Sequence, residues 1–346
     1  MLTEATSFSL QRALHDSASE LASGDGAARA RVLSELARRG LATLPMPGSG
    51  STLERWQAFA TVATCDLALA KLYEGHTDAL ATLTEAGSSA PDAQLTWGMW
   101  AAESPGARVT FELAEGGRCM LNGTKAWCSG AAHLDRALLT VWRADGAGPF
   151  LAVVDLKQPG VAFDRANWQA VGMTASDSHD VIFDGVPAEL VGTERFYLTR
   201  PGFWQGGSGI AACWHAAACA IADTLRSQAQ RAPEAGWHRL LALGAIDHIL
   251  SANAAMLRES AAWIDAHPQE DARAVALRAR AGADAAAGLV LQHATRALGA
   301  TLLCRDSWFA RMAADLPVFV RQCHGDRDLV ALGEAALSAE TPAWTL

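Results

Sequence analysis

Leu121-Asn122-Gly123-Thr124-Lys125-Ala126-Trp127-Cys128-Ser129-Gly130-Ala131 is the stretch that decides the fold. Asn-Gly supplies the positive φ that tight hairpins require, so the string predicts a turn at Asn122-Gly123 running into a strand. Short runs of β-branched, aromatic and aliphatic residues surround it: Gln94–Trp100, Arg108–Leu113, Cys119–Leu121, Ala137–Trp142, Phe150–Val154 and Asp180–Phe183. Turn signals separate them at Pro105-Gly106, Gly116-Gly117, Asp145-Gly146 and Asp184-Gly185. Together they predict a middle antiparallel β-domain over residues 93–195.

Both flanks change period. Residues 1–92 are Ala/Leu-rich, and Arg31–Ala37 repeats apolar positions at i and i+3/i+4, as a helix does. Gly40 stands as its C-cap, and Ser51 with Glu54 reads as a capping box opening the next helix. Residues 196–346 return to long Ala/Leu segments, near 208–231, 238–266, 272–304 and 307–322, which predict a four-helix bundle. The expected fold is therefore α+β, mainly α: an N-terminal helical domain, a middle β-domain and a C-terminal helical bundle. Segregated elements argue against an alternating βαβ fold.

The 346 residues include 50% hydrophobic types and carry a net charge of −9. That length predicts two or three structural units with a large core. The acidic balance argues against a nucleic-acid partner, which needs a basic face. Seven scattered cysteines form no CxxC pair, so no metal site is expected and a reduced, cytoplasmic setting fits. Met1–Asp16 lacks the pattern of a signal peptide. The apolar stretch Ile210–Ala222 is interrupted by His215 and falls short of the ~20 residues of a membrane span.

Several motifs have bland readings beside sharper ones. Gly207-Ser208-Gly209-Ile210-Ala211-Ala212 matches GxGxxA, but Pro201-Gly202-Phe203-Trp204 is no strand, so a helix start is expected there rather than a dinucleotide site. Cys323-His324-Gly325-Asp326-Arg327-Asp328 gathers polar groups without metal-ligand partners at set spacing, and a polar loop ending a helix is the plain alternative. His76 lies in helical texture, where most histidines are core or surface residues. No GxSxG nucleophile elbow occurs. Trp127 is different. An indole beside open backbone amides makes a wall for a planar ring, and Ser129 two residues on can bond that ring's edge. A flavin has those needs; the plain alternative is a strand with a buried Trp.

Asn122–Ala131 resembles the NG-x-K-x-[WF]-x-[ST]-[NG] signature of the acyl-CoA dehydrogenase superfamily. Trp100-Ala101-Ala102-Glu103-Ser104-Pro105-Gly106 looks like a shortened form of that family's flavin loop. Val171–Pro187, with Ser176-Asp177-Ser178, resembles the stretch that closes its β-domain. The resemblance implies a bound flavin, FAD with FMN as the other option, where the β-domain meets the bundle. It gives Trp100, Trp127, Cys128 and Ser129 cofactor roles, joined by Gly299 and Thr301 at the degenerate GG-x-G turn. It implies a homodimer or homotetramer, and it places His76 and His324 where members carry functional histidines.

The family's catalytic glutamate is missing from Val318–Gly325, which offers Cys323 and His324 instead. His324, His76 and Glu103 are therefore the expected catalytic residues, with Asp177 a further candidate base. Three functions follow from the resemblance: FAD-dependent oxidation of the CH–CH bond of a small-molecule substrate such as an acyl-CoA thioester; a monooxygenase of the same fold using reduced flavin and oxygen; and a degenerate binding subunit. Cys128-Ser129-Gly130-Ala131 and the two histidines speak for the second.

Overall fold

The computed structural model describes residues 4–88, 91–114, 118–231 and 236–345, so the turn expected at Gly116-Gly117 lies outside the described residues. Helices α1 (Glu4–Asp16), α2 (Ala18–Leu21), α3 (Gly26–Arg38), α4 (Thr52–Ala63) and α5 (Leu67–Glu85) come first. Strands β1 (Trp97–Trp100), β2 (Val109–Leu113), β3 (Arg118–Cys128), β4 (Arg136–Arg143), β5 (Phe150–Asp155), β6 (Val161–Asp164) and β7 (His179–Val191) follow. Then come α6 (Phe196–Thr199), α7 (Gly202–Gly207), α8 (Ile210–Arg231), α9 (Trp237–Ala266), α10 (Arg273–Leu298), α11 (Ala300–Arg305), α12 (Ser307–Phe319) and α13 (Asp326–Ser338). The helical, β, helical order and the mainly α class are those expected. By packing, the chain forms two compact units: residues up to Met46 with Ala68–Phe203, and Pro47–Leu67 with residues from Trp204 onward.

In the first unit the strands pair in the order β1-β4-β2-β3-β7-β5, β5 also pairs with β4, and β6 adds to β7. The β4–β2–β3–β7–β5 pairings thus close a ring, which leaves none of these five strands with a free edge along its whole length. The sheet is not purely antiparallel. β1 and β2 both run parallel to β4, Trp97 opposite Arg136 and Thr110 opposite Trp142. They share one edge of β4 in succession, and antiparallel β5 occupies the other. One side of α5 supplies Ala79, Leu80 and Leu83 to a core shared with Trp97, Leu138, Leu151 and Val191. Buried Arg200 bonds Glu85 at 2.8 Å and Asp78 at 3.2 Å, anchoring the segment after β7 to the same helix.

Two expected turns lie inside strands and face each other across one bulge. β3 runs straight through Asn122-Gly123, with its register against β7 shifted between Leu121 and Gly123. Gly123 has φ +114°, and a Cβ there would meet Arg108 O at 2.2 Å. The positive φ was correctly signalled, but β2 and β7 on either side of β3 hold it extended, and the extra residue lies on β7, where Asp184 and Gly185 stand opposite Asn122 alone. Asp184-Gly185 likewise lies inside β7, where the Gly185 N–H donates to Asn122 Oδ1.

The second unit holds α4 and the C-terminal helices. The capping box at α4 does not form: the Ser51 side chain makes no cap hydrogen bond. Asp265 of α9 takes that role, accepting from the N–H groups of Gly50 and Thr52 and from the Thr52 hydroxyl at 2.6 Å. A carboxylate at a helix N-terminus also meets the favourable end of the dipole. The third expected bundle segment breaks at Gly299, φ +67°, into α10 and α11. The GxGxxA string leads into α8 as the expected helix start, and α7 rather than a strand precedes it. α9 is long and apolar enough, by length and composition alone, to cross a membrane. It buries Ala242, Ile246, Leu257, Ala261 and Ile264, while Trp237, Leu240 and Leu241 stand exposed.

Candidate functional site

The site grows from the end of β3. A second register shift lies between Lys125 and Cys128. It places Trp127 at φ +59° and leaves the residue 52% exposed. An L-residue in the left-handed region costs roughly 1–2 kcal/mol. Such strain persists where the surrounding structure fixes it, and it concentrates at functional sites. The Trp127 N–H faces Asp180 Oδ1 at 3.4 Å, and Asn167 holds the other oxygen of Asp180 at 2.8 Å. The chain then turns at Gly130, φ +72°, where a Cβ would meet Leu72 at 2.8 Å.

Hydrogen bonds stitch this turn to residues 173–179. The Gly130 N–H donates to Ser176 O at 2.8 Å. Ser129 Oγ lies 2.9 Å from Ser178 Oγ, Ser178 Oγ lies 2.8 Å from Ser176 Oγ, and the Ser176 hydroxyl donates to Met173 O at 2.7 Å. Between the two serines Asp177, φ +48°, meets His133 Nε2 at 2.6 Å and His179 Nε2 at 2.8 Å. Burial holds His179 below the usual imidazole range despite the raising effect of Asp177. Trp100 Nε1 donates to Ser129 O at 3.2 Å. Trp100 is thereby tied to the consecutive residues Trp127, Cys128 and Ser129. Cys128 is fully buried, donates to Lys125 O at 3.2 Å and has its thiol pushed well up by burial, so it is an inert packing group.

The expected catalytic residues sit in three surroundings. His76 on α5 is fully buried, and its Nδ1 accepts the Trp97 N–H at 3.3 Å. Desolvation lowers its pKa to about 4, so the ring is neutral at pH 7, with the proton on Nε2. Glu103 is engaged by the Lys125 ammonium at 2.9 Å, by Thr140 and by Trp142 Nε1 at 3.2 Å. A carboxylate so occupied is poorly placed to take a substrate proton. His324, in the second unit, has a 70% exposed side chain. Its N–H donates to Asp328 Oδ2 at 3.0 Å and its Nδ1 lies 3.4 Å from Asp328 Oδ1. Arg280 approaches Asp328 at 3.8 Å and donates to Gln322 O at 2.9 Å. Gly299 and Thr301 lie exposed at the break between α10 and α11.

Sequence reading missed Ser176, Ser178, His133, His179 and Asp328. Ser176-Asp177-Ser178 was visible as a motif, but its pairing with Ser129 spans 49 residues at Ser178 and has no local signal. A crevice beside Ser129, walled by Trp97, Trp100 and Lys71, has a volume of about 10 Å³, room for about one water molecule. That is below the roughly 300–1,000 Å³ of ligand pockets. The features suited to an aromatic ring system are instead the open Trp127 indole and the Ser129 hydroxyl, which offer stacking and an edge hydrogen bond.

Residues 102–186 match the family model of the acyl-CoA dehydrogenase middle domain. The chain has the acyl-CoA dehydrogenase fold. FMN-bound TdsC from Paenibacillus sp. A11-2, a dibenzothiophene monooxygenase, superposes with TM-score 0.77 at 20% identity, covering 96% of this chain and 99% of that one. A nitrososynthase from Micromonospora carbonacea var. africana gives 0.80 at 18%, covering 97% and 96%. A probable acyl-CoA dehydrogenase from Mycobacterium abscessus gives 0.80 at 18%, covering 96% and 97%. No curated protein sequence matches the chain. Within the acyl-CoA dehydrogenase fold found here, the family model spans the Glu103 loop, the Trp127 bulge and the Ser176–Ser178 segment.

Proposed function

We propose that the chain is a flavin-dependent oxidoreductase acting as a monooxygenase on a small-molecule substrate, with reduced flavin and oxygen as co-reactants. The observation that carries this reading is the strained, half-exposed Trp127 with the Ser129 hydroxyl two residues on. An isoalloxazine would stack on that indole, with its N5 edge toward Ser129. When bound, reduced flavin supplies the electrons and activates the oxygen. Neutral His76 and the imidazole of His324 beside Asp328 are the groups this chain offers for holding or moving protons. The FMN and indole of TdsC structures support FMN and an aromatic substrate class, with FAD as the other cofactor.

A second reading, oxidation of an acyl thioester, draws on the middle-domain match. It needs a base, and Glu103 is already tied to Lys125. One experiment separates the two. Under anaerobic conditions, bleaching of bound flavin by acyl-CoA carries dehydrogenation. Oxygen consumption and substrate hydroxylation with externally reduced flavin carry the proposal. Protein that retains neither FMN nor FAD would be the binding subunit instead.

The same reading includes a homodimer or homotetramer, supported by the exposed apolar face of α9 at Trp237, Leu240 and Leu241. It keeps three functional segments, 1–92, 93–195 and 196–346. It takes the protein as cytoplasmic, in line with seven free cysteines.

A further inference from the structure

Counting protons along the serine chain fixes its direction. Each hydroxyl has one proton and two acceptor lone pairs. Ser176 spends its proton on Met173 O. The Ser176–Ser178 contact at 2.8 Å then requires Ser178 as donor. With that proton used, the Ser129–Ser178 contact at 2.9 Å requires Ser129 as donor. All three bonds are made in this one polarity only. Ser129 is left with no proton to offer outward and with lone pairs free to accept. Ser176 is 1% and Ser178 6% exposed, so water does not readily replace either partner. The Asp177 carboxylate clasped by His133 and His179 fixes the backbone between them.

We infer that Ser176 and Ser178 are positioning residues that make Ser129 a hydrogen-bond acceptor, so that the site selects reduced over oxidised flavin. The inference rests on the proposed place of a flavin edge at Ser129. The chemistry of that edge is redox-dependent: N5 of oxidised flavin is an acceptor, and N5–H of reduced flavin is a donor. An acceptor hydroxyl bonds the second and leaves the first unmatched. The polarity also suits the proposed reaction, in which flavin arrives already reduced.

The test is anaerobic titration of the full-length protein with FMN and with dithionite-reduced FMN. Wild type is expected to bind the reduced form at least tenfold more tightly. Ser178→Ala frees the Ser129 proton to face outward, so oxidised FMN should bind more tightly and the ratio should fall about tenfold. For a two-electron couple that equals a shift of about 30 mV in the bound flavin's potential. Ser178→Thr, which keeps the hydroxyl, should restore the wild-type ratio. Ser176→Ala releases the Ser178 proton toward Ser129 and should act in the same direction, which keeps the test open if Ser178→Ala does not fold. An unchanged ratio in both alanine variants overturns the inference when Ser129→Ala still alters affinity. If Ser129→Ala changes neither affinity, or wild type binds neither form, the placement of flavin at Ser129 fails first and the inference with it.

Discussion

The ammonium of Lys125 lies 2.9 Å from Glu103 Oε1, and Lys125 is 1% exposed. Burial lowers the lysine pKa, with Glu103 opposing the shift. Breaking such a pair from the carboxylate side leaves a charge stranded in the sheet. Glu103→Gln is therefore expected to destabilise the fold by about 1–2 kcal/mol, less than for a fully buried pair because the Glu103 side chain is 37% exposed. Lys125→Met removes the buried charge along with the pair and should cost less. Urea midpoints of the two variants check the ranking. Were Glu103→Gln to leave stability intact and abolish turnover, Glu103 would return as a catalytic base.

His76 gives a pH prediction. Its pKa falls from 6.5 to about 4 because burial disfavours the cation. The unfolded chain binds a proton near pH 6.5 that the native state refuses until about pH 4, so the stabilising contribution is complete above pH 6.5. It is lost as pH falls from 6.5 toward 4, by about 3 kcal/mol in all. His76→Asn keeps an acceptor for the Trp97 N–H and removes the titration. Its denaturation midpoint should vary less than wild type between pH 6.5 and 4. Parallel curves for the two proteins would show that the ring is not held neutral.

How far the sequence was legible depended on the range of each interaction. The order of helices and strands follows from local periodicity, and the Gly40 C-cap forms as read, with Leu41 N bonded to Leu36 O at 2.8 Å and Gly40 N to Ala37 O at 2.9 Å. Asn122-Gly123 announced a positive φ but not its use, because a hairpin and a bulge differ only in what lies alongside. The same holds at Ser51, displaced as cap by Asp265, which is more than 200 residues away in sequence. At the site, Trp127 and Ser129 lie in one readable string. The groups that polarise and clamp them, Ser176, Ser178, His133 and His179, are brought there by pairing of β3 with β7 and by the turn after Gly130.

Trp127 separates binding from stability. Its left-handed backbone is strained, and half of its surface is already in water. Trp127→Gly relieves the strain and removes the ring wall. The variant should bind FMN or FAD about five- to 150-fold more weakly, the loss of a stacking surface being worth roughly 1–3 kcal/mol. Its thermal midpoint should stay within a few degrees of wild type, since strain relief offsets lost packing. Titration by flavin fluorescence together with a thermal melt checks both halves. Unaltered flavin affinity would remove the indole from the proposed site.

Asp328 meets His324 twice, at its N–H and at Nδ1, and Arg280 faces the same carboxylate at 3.8 Å. A carboxylate near Nδ1 favours a proton on that nitrogen, which would leave Nε2 to accept. If that atom serves the proposed reaction, His324→Ala should lower kcat by about a hundredfold or more, the usual worth of a positioned acid or base. Asp328→Asn still offers an oxygen to the His324 N–H but loses the charge at Nδ1. Its kcat should fall less than that of His324→Ala, and the double variant should be no worse than His324→Ala alone, because the two residues act as one unit. Flavin affinity should be unchanged in all three. Nitrogen NMR of the imidazole offers an independent reading, with the Nδ1–H tautomer dominant in wild type and diminished in Asp328→Asn. Full turnover by His324→Ala would take the pair out of the chemistry.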